Sequence, residues 1–199
     1  DIAKPHCIIV DRAGKRFLNE GQSYMANGQA IYAHNAVPAY AILDSRHRSW
    51  YPWGTTPGGM TPGDWISSGY MKKADTLAEL AQKCGIDPAG LTATAARFNG
   101  FAKAGKDLDF KRGDRNYDRV FGDPTVKPNP SLGEIAKPPF YAVELFPGDV
   151  GTYGGIVTDE FARALKDDGS VIPGLYATGN STAPRPIAVS ACSISSSRI

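Results

Sequence analysis

The stretch CIIVDRAGKRFLNE places two β-rich runs around Arg12-Ala13-Gly14, and a glycine in a short connection supplies the positive φ a hairpin turn needs. This predicts a hairpin over about residues 6–19. SYMANGQAIYAH then reads as helix and PAYAILD, at 38–44, as a buried strand. Between Trp50 and Gly63 so many prolines and glycines intervene that neither regular structure fits, which predicts an ordered loop with aromatic anchors or a mobile lid. In DTLAEL, Thr76 and Glu79 have capping-box spacing ahead of Leu77, Leu80 and Ala81, so a helix should start there and end near Gly85. Asp87 can cap a second helix with Pro88 at its first position, and Leu91, Ala95, Phe98 and Ala102 recur at helical spacing before Gly105. Residues 106–139 are charged and rich in Pro and Gly, which predicts a long surface excursion packed on the helices, with a boundary near Pro138-Pro139. Beyond it, FYAVELF reads as a strand, GTYGGIVTD as a Gly-rich turn entering another, and ARALKDDGSVIPGLYATGN as a hairpin turned at Lys166-Asp167-Asp168-Gly169. There are no internal repeats, and the Ser-rich run PRPIAVSACSISSSRI has no period and is expected to be poorly ordered.

With 199 residues, 42% hydrophobic and 21% charged, the chain can build one large or two small domains around a real core. Its net charge of +2 is spread through interleaved acids and bases, so nucleic acid is not an expected partner. Cys7, Cys84 and Cys192 show no CxxC or Cys/His ligand spacing, which argues against a zinc site or a disulfide framework and for reduced thiols in the cytoplasm. No apolar run approaches the roughly 20 residues that span a bilayer, and no leader opens the chain, so a protein neither secreted nor transmembrane is expected. Because the sequence starts at Asp1 and enters a strand almost at once, it reads as the later part of a larger protein.

The chemistry concentrates between Gly148 and Asn180. Gly154-Gly155 before a strand and Gly179-Asn180 after one are places where a missing Cβ lets main chain approach something flat or anionic, unless both are simply tight turns. The order GTxGGxxTD, then ARxLxxDGSxIPGLYATGN, resembles the C-terminal flavin-binding segment of the flavoprotein family that includes fumarate reductase flavoproteins and 3-ketosteroid dehydrogenases. That resemblance implies FAD as cofactor, with Gly154, Gly155, Gly179 and Asn180 facing it through main-chain donors. Thr152, Thr178, Ser181 and Ala183 are weaker neighbours. The fumarate reductase branch carries a His-containing segment before the Gly pair and Gly-Glu after the last strand; here stand Gly148-Asp149-Val150-Gly151-Thr152 and Gly179-Asn180. With ADTLAEL, ARFNGFAKAGKDLDFKRGD, YDRVFGDPTVKPNPSLGEI and PPFYAVELFPGD, the chain is similar to the 3-ketosteroid Δ1-dehydrogenases from residue 6 to about 184. The fold this implies is α+β: a partial catalytic (substrate or cap) domain over 1–138, the C-terminal strands of a FAD-binding domain over 139–184, and a divergent tail over 185–199.

The Asn-Glu followed by Tyr24 in GKRFLNEGQSYMANGQAIY resembles the family loop in which a tyrosinate removes the proton next to the ketone. A phenol ordinarily ionises near pH ~10, so it serves as a base only where its surroundings stabilise the anion. The resemblance implies that hydride leaves steroid C1 for the flavin while Tyr24 takes the C2 proton, with Val150 touching the substrate. The partners are then a steroid or similar hydrophobic ketone and an external electron acceptor. Two alternatives stand beside it: another FAD-dependent oxidoreductase of the fumarate reductase superfamily, and an inactive fragment that only associates with its N-terminal half. The G-x-G-x-x-G dinucleotide turn is nowhere in the sequence, and after about Pro184 the family's Met-Gly and Tyr-Pro-Gly stretches are replaced by RPIAVSACSISSSRI, so the isolated chain is expected to hold FAD poorly. His6, His34 and His47 lack metal-ligand spacing and read as structural or solvent-facing, while Asp11 and Glu20 could pair across the hairpin but read rather as turn chemistry and solvation. Trp50, Tyr51, Trp53 and Trp65 could wall a steroid pocket, although a core or subunit contact is the commoner use of such residues.

Overall fold

Strands β1 (Cys7–Val10), β2 (Ala39–Leu43), β3 (Met71–Ala74) and β4 (Phe140–Leu145) form an antiparallel sheet in the order β1-β2-β4-β3. β1 and β2 are buried along their whole length, which is why CIIV and AYAIL are continuous apolar runs rather than alternating ones. On one face Ile8, Val10, Tyr40, Ile42 and Ala142 pack against helices α4 (Leu77–Cys84) and α5 (Pro88–Ala104) through Leu80, Leu91 and Phe98. Each fully buried side chain of that size contributes about 1.5–3 kcal/mol, so this layer anchors everything hung on the sheet. On the other, Cys7, Ala41, Leu43, Met71, Tyr141 and Val143 gather around Trp53. A third cluster joins Ile9, Leu18 and Ala39 to Ile31 of α1 (Tyr24–Ala33).

This computed structural model describes residues 1–148 and 154–183, in two compact units divided between Pro147 and Gly148. The boundary expected near Pro138-Pro139 is not where the first unit ends, because FYAVEL pairs with both β2 and β3 and completes their sheet. α4 and α5 match their sequence signals. Thr76 Oγ1 accepts from Glu79 N at 3.1 Å, the Asp87 carboxylate accepts from Ala89 N and Gly90 N, and both helices end in left-handed glycines, Gly85 and Gly105. The hairpin over 6–19 keeps its turn, with Asp11 N donating to Lys15 O at 3.0 Å, but only the Val10–Arg16 bridge follows it. β1 pairs instead with β2. Gly14 lies so close to α5 that an added Cβ would sit 2.3 Å from Leu91 N, and beyond it Arg16 turns into the protein. Helices α2 (Ser45–Trp50), α3 (Gly63–Ser67) and α6 (Asn116–Val120), like β3, are too short to show a period. Nor is 106–139 merely a surface excursion: Asp107, Arg112, Asp118 and Ser131 are wholly buried in it.

In the second unit β5 (Arg163–Leu165) and β6 (Val171–Tyr176) form the expected hairpin, and Lys166 N donates to Ser170 O at 2.8 Å across its turn. Bridges Ile156–Thr182 and Thr158–Ala164 attach the flanking segments, and Gly179–Ser181 form one 3-10 turn. The expected disorder of the tail at 185–199 falls outside the described residues. Mixed helix and strand content agrees with the expected α+β class.

Candidate functional site

Tyr24 is the first residue of α1, capped by Ser23, whose hydroxyl accepts from Ala26 N at 3.2 Å. The residue is 82% exposed, so the loop before it does the positioning. Glu20, fully buried, accepts from Ile9 N (3.0 Å), from Arg16 Nε (2.9 Å) and Nη2 (2.7 Å), and from Arg112 Nη1 (3.1 Å). Arg112, equally buried, also donates to the carbonyls of Cys7 (2.8 Å), Ala3 (3.0 Å) and Lys4 (2.9 Å). Arg16 reaches Asp107 at 3.0 Å and lies 4.6 Å from the Phe98 ring centroid. Two guanidiniums thus face two carboxylates and the cluster is neutral, the condition under which buried charges persist. Burial alone would raise the Glu20 carboxyl, but Arg16, Arg112 and the Ile9 amide outweigh it and bring it down to about 2. This corrects the expectation of turn chemistry and solvation for Glu20. Asp11, by contrast, does cap the turn, accepting from Lys15 N at 2.9 Å and pairing with His34 at 3.0 Å.

The residue before Glu20 is a second fastening. Asn19 Nδ2 donates to Asp118 Oδ2 at 3.1 Å and its Oδ1 accepts from Gly21 N at 2.8 Å, while Asp118 also accepts from Gly113 N (3.1 Å) and Arg115 (3.0 Å). The Asn-Glu of the sequence motif is therefore what fixes the loop that carries Tyr24. Beside Tyr24 lies a shallow open groove, bordered also by Ile2, Gln22, Asn27, Tyr117 and Phe121. Asn27 is 4% exposed and its Oδ1 has no hydrogen-bond partner. Sequence reasoning missed Arg112, Asp118, Tyr117 and Phe121, and no local pattern marks them.

In the second unit the two glycine bends lie side by side. Ile156 N donates to Ser181 O at 2.9 Å and Ala183 N to Ile156 O at 3.0 Å. Gly155 has a reason within the chain: an added Cβ would lie 2.5 Å from Thr182 C and 2.6 Å from Ser181 O. Gly154 and Gly179 have open space where a Cβ would be, and Gly179 has a left-handed φ of +62°. Together with exposed Asn180 and Ser181 and half-buried Ala183 they present main chain with no side chain over it at the two glycines, a fit for a planar group held through backbone donors. Thr152 and Val150 lie outside the described residues.

Among the described residues, His47, Cys7 and Cys84 are structural. Burial, with Arg48 beside it, pushes His47 down to about 3, and burial raises the Cys7 and Cys84 thiols to about 12 and 11, so neither thiol is a nucleophile. Tyr51 and Trp53 are buried, and Trp53 Nε1 donates to Tyr70 Oη at 3.0 Å, so this part of the aromatic cluster belongs to the core. Among the described residues no group of His, Cys, Asp and Glu is arranged to hold a metal, and no helix is long and apolar enough to cross a membrane.

Comparison with known proteins adds a family. The 3-oxosteroid 1-dehydrogenase of Mycolicibacterium smegmatis is 50% identical over 190 residues, 90% of this chain and 33% of the relative. The 4-oxocyclohex-2-ene-1-carboxylate 5-dehydrogenase of Sinomonas cyclohexanicum is 42% identical over 89% of this chain and 31% of its own length. The crystal structure of 3-ketosteroid Δ1-dehydrogenase from Sterolibacterium denitrificans, in complex with 1,4-androstadiene-3,17-dione, superposes with a TM-score of 0.81 at 40% identity, covering 90% of this chain and 34% of that one. The chain therefore spans about a third of the length of the relatives it matches. The family described as FAD binding domain matches residues 1–195, and the chain belongs to it.

Proposed function

We propose that this chain forms part of a FAD-dependent dehydrogenase that introduces a 1,2-double bond into 3-oxosteroids. The observation that carries the reading is the 50% identity to a 3-oxosteroid 1-dehydrogenase over 90% of the chain; the Tyr24 loop anchored by buried side chains is compatible with it. FAD supplies the hydride acceptor when bound, and an external electron acceptor takes the electrons onward. The open main chain at Gly154 and Gly179, with Gly155, Asn180, Ser181 and Ala183 beside it and Thr152 before it, would hold the cofactor. Val150 would border the substrate.

The protein's own task is at C2. Exposed at the head of α1, Tyr24 Oη can enter a substrate cavity while Asn19 and Glu20 prevent the loop from yielding. It accepts the C2 proton as the electron pair of that C–H bond becomes the new π bond. A base so placed contributes a factor of about 10²–10⁴.

The test is direct. A flavoprotein of the relatives' full length that contains this chain should, under anaerobic conditions, lose its flavin absorbance on mixing with a 3-oxosteroid saturated at C1–C2 and release a product two mass units lighter. Unchanged absorbance and recovered substrate would refute the reading.

A further inference from the structure

The groove beside Tyr24 has an apolar wall that the proton-transfer chemistry does not need. Tyr117 and Phe121 belong to α6 and the residue after it, each about half exposed, with ring centroids 5.1 Å apart and planes tilted by 60°. Tyr24 and Ile2 also line the groove, and Val120, between the two aromatics in sequence, is 77% exposed. Scattered exposed apolar residues need no explanation, but aromatic side chains gathered around one groove mark a binding surface. Side-chain charges at its border are already engaged: Lys4 Nζ donates to Gly122 O at 2.8 Å, Asp1 Oδ2 accepts from Gly54 N at 2.7 Å, and Glu20 is held by its two arginines. An uncharged, apolar occupant fits such a surface. Its distance from Tyr24 is also fixed. The Asn19–Asp118 bond ties α6 to the Tyr24 loop, and Gly21 approaches Asp118 so closely that an added Cβ would sit 3.1 Å from the Asp118 Cβ.

We propose that Tyr117 and Phe121 are specificity-determining residues that receive the outer apolar rings of the substrate, beyond the first two counted from the ketone, so that the site selects four-ring over two-ring ketones. This inference rests on the dehydrogenase reading. A rigid wall at a set distance from the base gives no contact to a short substrate and stacks on the outer rings of a long one, so its contribution grows with ring number. Removing about 50 Å² of apolar surface from water at such a wall is worth about tenfold in binding.

The experiment compares a four-ring 3-oxosteroid with a two-ring enone resembling its A and B rings, in a flavoprotein of the relatives' full length containing this chain. Tyr117→Ser and Phe121→Ser should each raise KM for the four-ring substrate about tenfold, leave its kcat within about twofold, and leave both constants for the two-ring substrate unchanged. Phe121→Leu should recover part of the loss. Unshifted KM values in variants that melt like the parent would overturn the proposal. Equal KM increases for both substrates would overturn it as well. Were the parent protein to oxidise neither substrate, the dehydrogenase reading would fall and this inference with it, an outcome distinct from the other two.

Discussion

Replacing Glu20 by Gln preserves the shape of the side chain and removes its charge. Arg16 and Arg112 would then face Asp107 alone, leaving one unbalanced cation in a fully buried cluster. Breaking a buried ion pair from one side costs about 3–5 kcal/mol. An independent route gives a similar figure: a carboxyl brought from 4.5 down to about 2 is linked to about 3 kcal/mol of folding free energy. With a slope of about 2 kcal/mol per molar urea, the unfolding midpoint at pH 7 should fall by roughly 1.5 M, read by tryptophan emission. Because the folded carboxyl is the stronger acid, the unfolded chain binds the extra proton as pH falls. The stabilisation is complete above the unfolded value near 4.5 and disappears as pH drops through about 2, so the two proteins should converge there. Arg112→Met in the Glu20→Gln background restores neutrality, so the two losses should add to less than their sum. A midpoint change below about 0.5 M at pH 7, or a difference that persists at pH 2, would refute the argument that Glu20 is held as a buried anion.

Three further outcomes follow from single contacts. Gly155→Ala should strip FAD affinity and lower the melting temperature, both measurable by flavin fluorescence, because the new methyl meets Thr182 and Ser181 main chain rather than flexible side chains. Thr76→Ala should cost about 1 kcal/mol in urea unfolding, the value of one N-cap hydroxyl, since Oγ1 alone serves the Glu79 amide. Cys7 should resist alkylation by iodoacetamide at pH 8 in the folded protein and react within minutes in urea, as expected for a buried thiol held near 12.

What the sequence disclosed was what local chemistry decides. Thr76 with Glu79, Asp87 with Pro88, and the glycines at 85 and 105 bound α4 and α5 because caps act over three or four residues. The turn at Lys166–Ser170 was visible for the same reason. Arg112 was not, because its partners Ala3, Lys4, Cys7 and Glu20 lie 92 to 109 residues away and a charged, Gly-flanked arginine looks solvated until they arrive. The same distance hid the partnership of Asn19 with Asp118, 99 residues apart, so the motif pointed to Tyr24 without revealing how its loop is held. The hairpin at 6–19 failed for a related cause: the ladder position beside β1 goes to β2, and the burial of Arg16 with Glu20 takes the second run elsewhere. In the second unit the glycine bends were legible as bends, but only the fold separates Gly155, required by crossing main chain, from Gly154 and Gly179, which are open.

The central claim is that Tyr24 removes the C2 proton, and isotope exchange at that carbon isolates the step from hydride transfer. In D2O, a flavoprotein of the relatives' full length containing this chain should exchange the C2 hydrogens of a 3-oxosteroid far faster than buffer does, and Tyr24→Phe should slow the enzymatic exchange by about 10²-fold or more while leaving steroid binding intact. Exchange that proceeds at the parental rate in Tyr24→Phe would contradict the account and assign the base to another residue.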